Sequence, residues 1–359
     1  MTPEYNKVHN RFKFNGIHFN HEDLSEVAYS IIKEGDPYEK ELGNFLIDWL
    51  NNDDFLMVKT SGSTGQPKKI KLKKQAMVNS AIATGDFFGL QPGDKALHCL
   101  PSHYIAGKMM FVRALVLGLE IDFVEPISQP IFNTKKHYDF CAMVPLQLKH
   151  SIDYVTNIKT IIVGGSMVTK PLLKRIKEAP SRFYETYGMT ETVTHVAVRP
   201  LQSKSRKGQQ YFKALPNITF SQDDRDCLII DAPNLVKEPL VTNDIVDLQS
   251  STSFKLLGRY DNVINSGGVK LFPEQIEEKL QPVIEERYIV AGEDDTDLGE
   301  KLVLILENPS NIENITEKIK KLNTLDKFEI PKKIYALKKF PETTAGKIQR
   351  TKTLEKVLG

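Results

Sequence analysis

Thr60-Ser61-Gly62-Ser63-Thr64-Gly65-Gln66-Pro67-Lys68 is a hydroxyl- and glycine-rich loop between two apolar runs, Phe55-Leu56-Met57-Val58 and Ile70-Lys71-Leu72. Glycines without a Cβ let successive backbone N–H groups turn inward as an anion nest, the hydroxyls add donors, and Lys68 brings a point charge. The composition fits a polyphosphate. The spacing is not that of a Walker loop, because only two residues separate Gly62 from Gly65 and Lys68 is followed by Lys69. Glycine and serine also build linkers, so the loop acquires meaning only from what surrounds it.

Around this loop the chain alternates short β-branched runs with helical patterns. Strands are predicted at Phe55 to Lys59, Lys69 to Leu72, Ala96 to Leu100, Glu120 to Val124, Phe140 to Val144, Thr160 to Val163 and Arg182 to Tyr184, following a polar lead-in. Helices are predicted at Lys74 to Phe88, Gly107 to Leu117, Pro145 to Ser151 and Pro171 to Ala179. Such alternation specifies an α/β fold of layered, mostly parallel sheets with helices. A strand- and turn-rich region, Tyr211 to Gly258, follows. Residues 261–359 read as a small α+β unit with helices at Glu274 to Leu280 and Ile312 to Leu322, and strands at Tyr288 to Ala291, Leu302 to Leu306 and Lys333 to Leu337. The expected division is a large N-terminal domain, 1–260, and a mobile C-terminal domain, 261–359, hinged between two glycine-bearing segments.

The 359 residues are 40% hydrophobic and 26% charged, enough to bury a core in more than one domain. With 48 basic against 46 acidic side chains the balance gives no nucleic-acid surface. The Lys-rich run 68–74 reads as a solvated strand edge. Cys99, Cys141 and Cys227 lie far apart in apolar runs, which matches neither a disulfide framework nor zinc spacing. No apolar stretch suits a secretory signal or a membrane span, so a cytoplasmic address is expected.

Four further motifs follow the loop. Tyr184-Glu185-Thr186-Tyr187-Gly188-Met189-Thr190-Glu191 offers an aromatic to stack on a purine, a hydroxyl for a phosphate and a carboxylate for Mg²⁺. Thr242-Asn243-Asp244 offers a carboxylate for two ribose hydroxyls, although a lone Asp is more often a turn residue. Gly258 to Pro273 carries Arg259, Asp261, Gly267 and Gly268. Pro341-Glu342-Thr343-Thr344-Ala345-Gly346-Lys347-Ile348-Gln349-Arg350 puts a lysine on a glycine-bearing loop.

In this order the motifs resemble the acyl-adenylate-forming superfamily of acyl-CoA synthetases, peptide-synthetase adenylation domains and luciferases, over residues 55–351. The resemblance implies ATP, Mg²⁺ and coenzyme A as reactants and a small carboxylic acid as substrate. It assigns Thr60, Ser61, Gly62, Ser63, Thr64, Gly65 and Lys68 to the β- and γ-phosphates, with Thr64 and Glu191 on the metal. Gly164, Gly165 and Ser166 would line the adenine and acyl pocket. Glu185, Tyr187, Gly188 and Met189 would surround the adenine, Thr190 the α-phosphate, and Asp244 and Arg259 the ribose. Asp261 would be the hinge, Gly267 and Gly268 would admit the pantetheine arm, and Lys347 would bridge the carboxylate and the α-phosphate, with Thr190 and Glu191 completing the catalytic set.

Leu100-Pro101-Ser102-His103-Tyr104-Ile105-Ala106-Gly107 with Arg113, and Met143-Val144-Pro145-Leu146-Gln147-Leu148, are similar to the o-succinylbenzoate-CoA ligases of menaquinone synthesis. That resemblance places His103 or Tyr104, Gly107 and Arg113 at the acyl pocket. The aromatic and the histidine are exchanged relative to that pattern, which leaves both candidates open. Arg113, on an apolar helical stretch, needs an anion: an internal carboxylate or the substrate's own. The chain ahead of the phosphate loop is short for the superfamily, and homo-oligomerisation is one way to restore surface burial. The rival readings are a ligase for another aryl or acyl acid, an enzyme loading a carrier protein, and a catalytically silent nucleotide-binding module. Retention of Lys347, Thr190 and Glu191 speaks against the last.

Overall fold

The computed structural model describes residues 2–59, 69–202, 211–342 and 348–359. Its frame is a thirteen-stranded sheet. Strands Lys13–Phe14, Glu120–Phe123, Lys95–His98, Tyr138–Met143, Ile158–Val163 and Arg182–Gly188 lie side by side, all parallel. Helices Ile105–Leu117, Pro145–Ser151 and Lys170–Glu178 make the crossovers that parallel neighbours require. Helix Lys74–Phe88 ends on Gly89 and helix Ile105–Leu117 on Gly118, both with the positive φ of a left-handed cap.

From Arg182–Gly188 onward the sheet is antiparallel, through His195–Pro200, Phe212–Ala214, Ser253–Arg259, Leu240–Ser250 and Cys227–Asp231 to Thr219–Gln222. The alternation of elements therefore describes one half of the sheet and not the other. The turns between Gln222 and Cys227 and between Ser250 and Ser253 are too short for a crossover, so these strands can pair only as hairpins.

The polar lead-in of the sequence is in fact structured, with helices Asp23–Glu34 and Pro37–Leu50. Leu42, Phe45, Leu46 and Trp49 follow helical spacing and are buried. The Asp36 N–H donates to Glu39 Oε2 at 2.8 Å, ahead of Pro37 at the first helical position, which is a complete helix-start signal. Strands Phe55–Lys59 and Lys69–Lys73 form a separate antiparallel hairpin whose lysines face solvent.

A second sheet of five strands holds Ile264–Ser266, Val269–Leu271, Tyr288–Asp295, Gly299–Glu307 and Lys333–Leu337, backed by helices Pro273–Leu280, Ile312–Lys320 and Arg350–Leu358. Three apolar clusters draw on residues from Phe12 to Phe254 and two others on residues from Ile264 onward, with none shared. Polar contacts join the two parts: the Lys170 N–H donates to Gln281 Oε1 at 2.8 Å, and Gln275 Nε2 to the Leu257 carbonyl at 3.1 Å. All three cysteines are buried and free. Among the described residues no helix is long and apolar enough to cross a membrane, and no group of His, Cys, Asp and Glu could hold a metal ion.

Candidate active site

The hairpin 55–59/69–73 closes on the segment that carries Thr60, Ser61, Gly62, Ser63, Thr64, Gly65 and Lys68, which lie outside the described residues, as does Lys347. The strands and bridges that flank them are described. Glu342 and Ile348 form an antiparallel bridge, and the Gln349 N–H donates to the Pro341 carbonyl at 2.9 Å. Just beyond, Arg350 grips the buried Glu277 with two parallel bonds of 2.6 and 2.7 Å and also donates to the Val290 carbonyl. Helix Arg350–Leu358 is thereby fixed to the second sheet.

The strand Arg182–Gly188 carries the aromatic motif to the middle of the large sheet, where parallel pairing gives way to antiparallel. Tyr187 packs edge-on to Phe254, ring centroids 5.0 Å apart, and its hydroxyl donates to Asp244 Oδ2 at 2.5 Å. Burial pushes that hydroxyl's pKa well above the usual tyrosine value, and the Asp244 charge adds to the effect. Arg259, directly opposite Asp244 in the sheet, donates to its Oδ1 at 3.2 Å and to Asp261 Oδ2 at 3.1 Å. Asn243 Nδ2 also reaches Asp261, at 3.3 Å. Tyr187, Asp244 and the neighbouring Arg259 and Asp261, from three separate stretches of sequence, thus form one connected cluster. A carboxylate accepts about four hydrogen bonds, so Asp244 keeps capacity for two hydroxyls of a ribose.

Gly164 and Gly165 leave the end of strand Ile158–Val163, with Gly165 at φ +90° and Ser166 exposed. A side chain at Gly164 would be driven into the Thr186 hydroxyl, so the two strand ends can approach only with glycine there. Glu185 is buried and ion-paired with Arg199 at 2.5 Å, a structural tie across the neighbouring strand. Met189 packs against the apolar cluster beneath Tyr187, while Thr190 is half-buried. Glu191 is exposed and makes no hydrogen bond among the described residues, which leaves its carboxylate free for a cation. Gly267 and Gly268, φ +57° and +79°, form the two-residue turn of the hairpin Ile264–Ser266/Val269–Leu271, so backbone geometry alone demands glycine.

The acyl-pocket residues separate. His103 Nδ1 sits 2.8 Å from Glu41 Oε2 in an exposed pair, and Tyr104, itself 40% exposed, rests against the His103 ring. No described hydrogen bond or ring contact links either to Arg113. Gly107 lies in the first turn of the helix Ile105–Leu117, where a Cβ would collide with the Pro101 carbonyl. Arg113 is only 1% exposed, and among the described residues no carboxylate pairs with it. Its Nη2 lies 3.3 Å from Thr194 Oγ1 and 3.4 Å from His195 Nδ1, and its Nε has no partner. Burial lowers its pKa from 12.5 to about 9. Of the two anions the sequence leaves open for it, the internal carboxylate is not found among the described residues.

Thr194 and His195, which contact Arg113, were not singled out by sequence reasoning. They lie just past the aromatic motif, and the only signal is a histidine leading an otherwise apolar strand, His195-Val196-Ala197-Val198. Val193 before them is fully buried at φ +69°, a left-handed backbone that a β-branched residue rarely adopts. Thr192 Oγ1 sustains it, its single O–H lying between the carbonyls of Met189 and Thr194, 3.0 and 2.8 Å away. The Thr194 carbonyl and His195 Cα occupy the space that a side chain at Gly188 would need, so this turn and the aromatic motif pack as one block.

The sequence model of the AMP-binding enzyme family matches residues 25–226. The 2-succinylbenzoate–CoA ligase of Listeria monocytogenes is 26% identical over 354 residues, 92% of this chain and 75% of that protein. The Bacillus subtilis 2-succinylbenzoate–CoA ligase is 24% identical over 81% of this chain and 66% of its own length. Among solved structures, an acyl-CoA synthetase (AMP-forming)/AMP-acid ligase II-like protein from Dyadobacter fermentans is 33% identical, TM-score 0.60, covering 93% of this chain and 98% of that one. The Bacillus subtilis o-succinylbenzoate coenzyme A synthetase bound to ATP and magnesium shares the fold at 20% identity, TM-score 0.70, over 92% of this chain and 82% of its own. The fold, the site's geometry and these similarities agree: the chain belongs to the AMP-binding enzyme family.

Proposed function

We propose that the protein is an ATP- and Mg²⁺-dependent carboxylate–CoA ligase that converts 2-succinylbenzoate to 2-succinylbenzoyl-CoA through an acyl-adenylate, as a cytoplasmic step of menaquinone biosynthesis. The observation that carries the substrate is Arg113: a buried guanidinium that no carboxylate among the described residues pairs with, packed against the turn that follows the adenylate motif. 2-Succinylbenzoate has two carboxylates and only the succinyl one is activated, so the aryl carboxylate needs a cation inside an aromatic pocket. A planar guanidinium can grip it with two parallel bonds. The 2-succinylbenzoate–CoA ligase names of the relatives point the same way.

In the first half-reaction the acid's carboxylate attacks the α-phosphorus of ATP and pyrophosphate leaves. Mg²⁺ supplies charge neutralisation at the phosphates when bound. Residues 60–68 would cradle the β- and γ-phosphates, Glu191 and Thr64 would hold the cation, Thr190 would contact the α-phosphate, and Asp244 with Arg259 would orient the ribose beside Tyr187. Lys347 bridges the attacking carboxylate and the α-phosphate, so positioning and charge suffice without a general base. In the second half-reaction the coenzyme A thiol replaces AMP. Residues 261–359 turn about Asp261 to withdraw Lys347 and present Gly267 and Gly268 to the pantetheine arm. The Asn243 and Arg259 bonds to Asp261 would hold the adenylating arrangement until then.

The test is ATP–pyrophosphate exchange with a panel of acids. Exchange driven by 2-succinylbenzoate supports the reading, and ATP binding without exchange for any acid overturns it.

A further inference from the structure

Two helix ends, one from each part of the molecule, complete one another. Helix Lys170–Glu178 starts without a side-chain cap from Thr169, and the N–H of its first residue donates instead to Gln281 Oε1 at 2.8 Å. In return Lys170 Nζ donates to the Glu278 carbonyl in the last turn of helix Pro273–Leu280. That carbonyl has no donor within its own helix, because the residue four further on is Pro282. A cation there also suits the helix dipole. Gln281 Nε2 lies 3.8 Å from Met167 Sδ, a third tie to the same segment. Each side thus satisfies a backbone group that the other would leave to water.

The opposite end of helix Pro273–Leu280 lies at the hinge: Asn262, next to Asp261, donates to Glu274 at 2.5 Å, and Gln275 to the Leu257 carbonyl at 3.1 Å. Eight residues of helix span about 12 Å, so a turn of about 30° across its axis at the hinge end carries the Gln281 end through about 6 Å, about twice the length of a hydrogen bond. Bonds near Asp261 can follow such a turn, whereas those of Lys170 must break. The segment 167–170 continues directly from Gly164, Gly165 and Ser166 at the end of strand Ile158–Val163.

We propose that Lys170 and Gln281 are positioning residues whose reciprocal cap holds residues 261–359 in one of the two arrangements the reaction needs, and whose release accompanies the change to the other. This rests on the reading of the chain as a two-step ligase turning about Asp261, and it names residues outside the nucleotide and acyl sites that set how long each arrangement lasts. The arrangement held is the adenylating one, in which Asn243 and Arg259 bind Asp261. Two hydrogen bonds, one of them from a charged group, bias a two-state balance by about tenfold or more.

The test uses Lys170→Met, which removes the cation but keeps the stem and the backbone N–H, and Gln281→Leu, which removes the side-chain acceptor. With 2-succinylbenzoate, or whichever acid the wild type activates, kcat for ATP–pyrophosphate exchange should fall by about three- to tenfold in each variant, while single-turnover thioester formation from supplied acyl-adenylate and coenzyme A stays unchanged or quickens. A loss confined to thioester formation upholds the positioning role and assigns the held arrangement to the second half-reaction. Equal losses in both halves, or none in either, overturn the proposal. Lys170→Ala and Gln281→Ala replace a variant whose melting curve shows that it does not fold. If no acid supports exchange, the ligase reading fails, and the distance between the two parts decides the latch. The three cysteines are buried, so spin labels can be placed on the exposed positions of Lys149→Cys and Glu313→Cys. A distance distribution by double electron–electron resonance that shifts or broadens when Lys170→Met or Gln281→Leu is added upholds the latch, and one that stays the same with both overturns it.

Discussion

Replacing Arg113 with methionine should make the protein more stable and less active on its diacid substrate. The fall of the guanidinium pKa from 12.5 to about 9 on burial corresponds to roughly 5 kcal/mol against the charged form at neutral pH, an upper bound on what the charge costs the fold. The long bonds to Thr194 and His195, 3.3 and 3.4 Å, return about 1–2 kcal/mol. Methionine has comparable length, and His195 Nδ1 keeps the Thr194 hydroxyl at 3.3 Å, so no buried polar group is newly abandoned. The net gain should be about 1–3 kcal/mol, a rise in melting temperature of about 2–6 °C by calorimetry. The sign with pH is specific. A base with a lowered folded pKa destabilises the fold while charged, so the penalty that Arg113 imposes, and with it the variant's advantage over wild type, should shrink as pH rises above about 9. Exchange kinetics should show kcat/KM for 2-succinylbenzoate reduced by about 2–4 kcal/mol in ΔΔG‡, with 3-benzoylpropanoate little affected. A lower melting temperature for Arg113→Met would refute the reasoning, because it would mean that the fold itself uses the charge.

Lys347→Ala should cripple adenylation yet spare thioester formation from supplied acyl-adenylate, while Asp261→Pro, which locks φ at the hinge, should do the reverse; single-turnover assays of each half-reaction check both, and equal losses in the two halves would sink the assignment. Asp244→Asn removes the charge that Arg259 and Tyr187 share, and should weaken ATP binding by about tenfold or more in equilibrium titration, with little effect on the KM of the acid. Glu277→Ala should strand the Arg350 guanidinium in a half-buried setting and destabilise the C-terminal unit by about 2–4 kcal/mol in urea unfolding.

The elements with strong periodicity were legible in the sequence. Helices Lys74–Phe88 and Pro145–Ser151 and strand Lys333–Leu337 have the bounds that pattern, proline and glycine dictate. The helices at 23–34 and 37–50 escaped because much of their surface is polar, although Asp36-Pro37 with Glu39 wrote the start of the second. The antiparallel half of the sheet was hidden because a strand's own residues do not name its partner, as the pairing of Phe212–Ala214 with Ser253–Arg259 shows. In the site, Asp244, Arg259 and Tyr187 are brought together by sheet register, which no local pattern encodes. Arg113 was legible as a cation in an apolar helix. His195 was not, since its partner is 82 residues away and only packing joins them. Gln147, in a motif that the sequence analysis noted only as a family likeness, serves structure: its Nε2 donates to the carbonyls of Cys99 and Ile127 at 2.6 and 3.1 Å.

The central claim is that one site carries out adenylation and thioesterification of a diacid. The most direct measurement is product analysis by mass spectrometry after incubation with ATP, Mg²⁺, coenzyme A and 2-succinylbenzoate. The account predicts AMP, pyrophosphate and 2-succinylbenzoyl-CoA in equal amounts, with the acyl-adenylate accumulating when coenzyme A is omitted. Formation of ADP and phosphate, or no thioester from an enzyme that binds ATP and the acid, would contradict it.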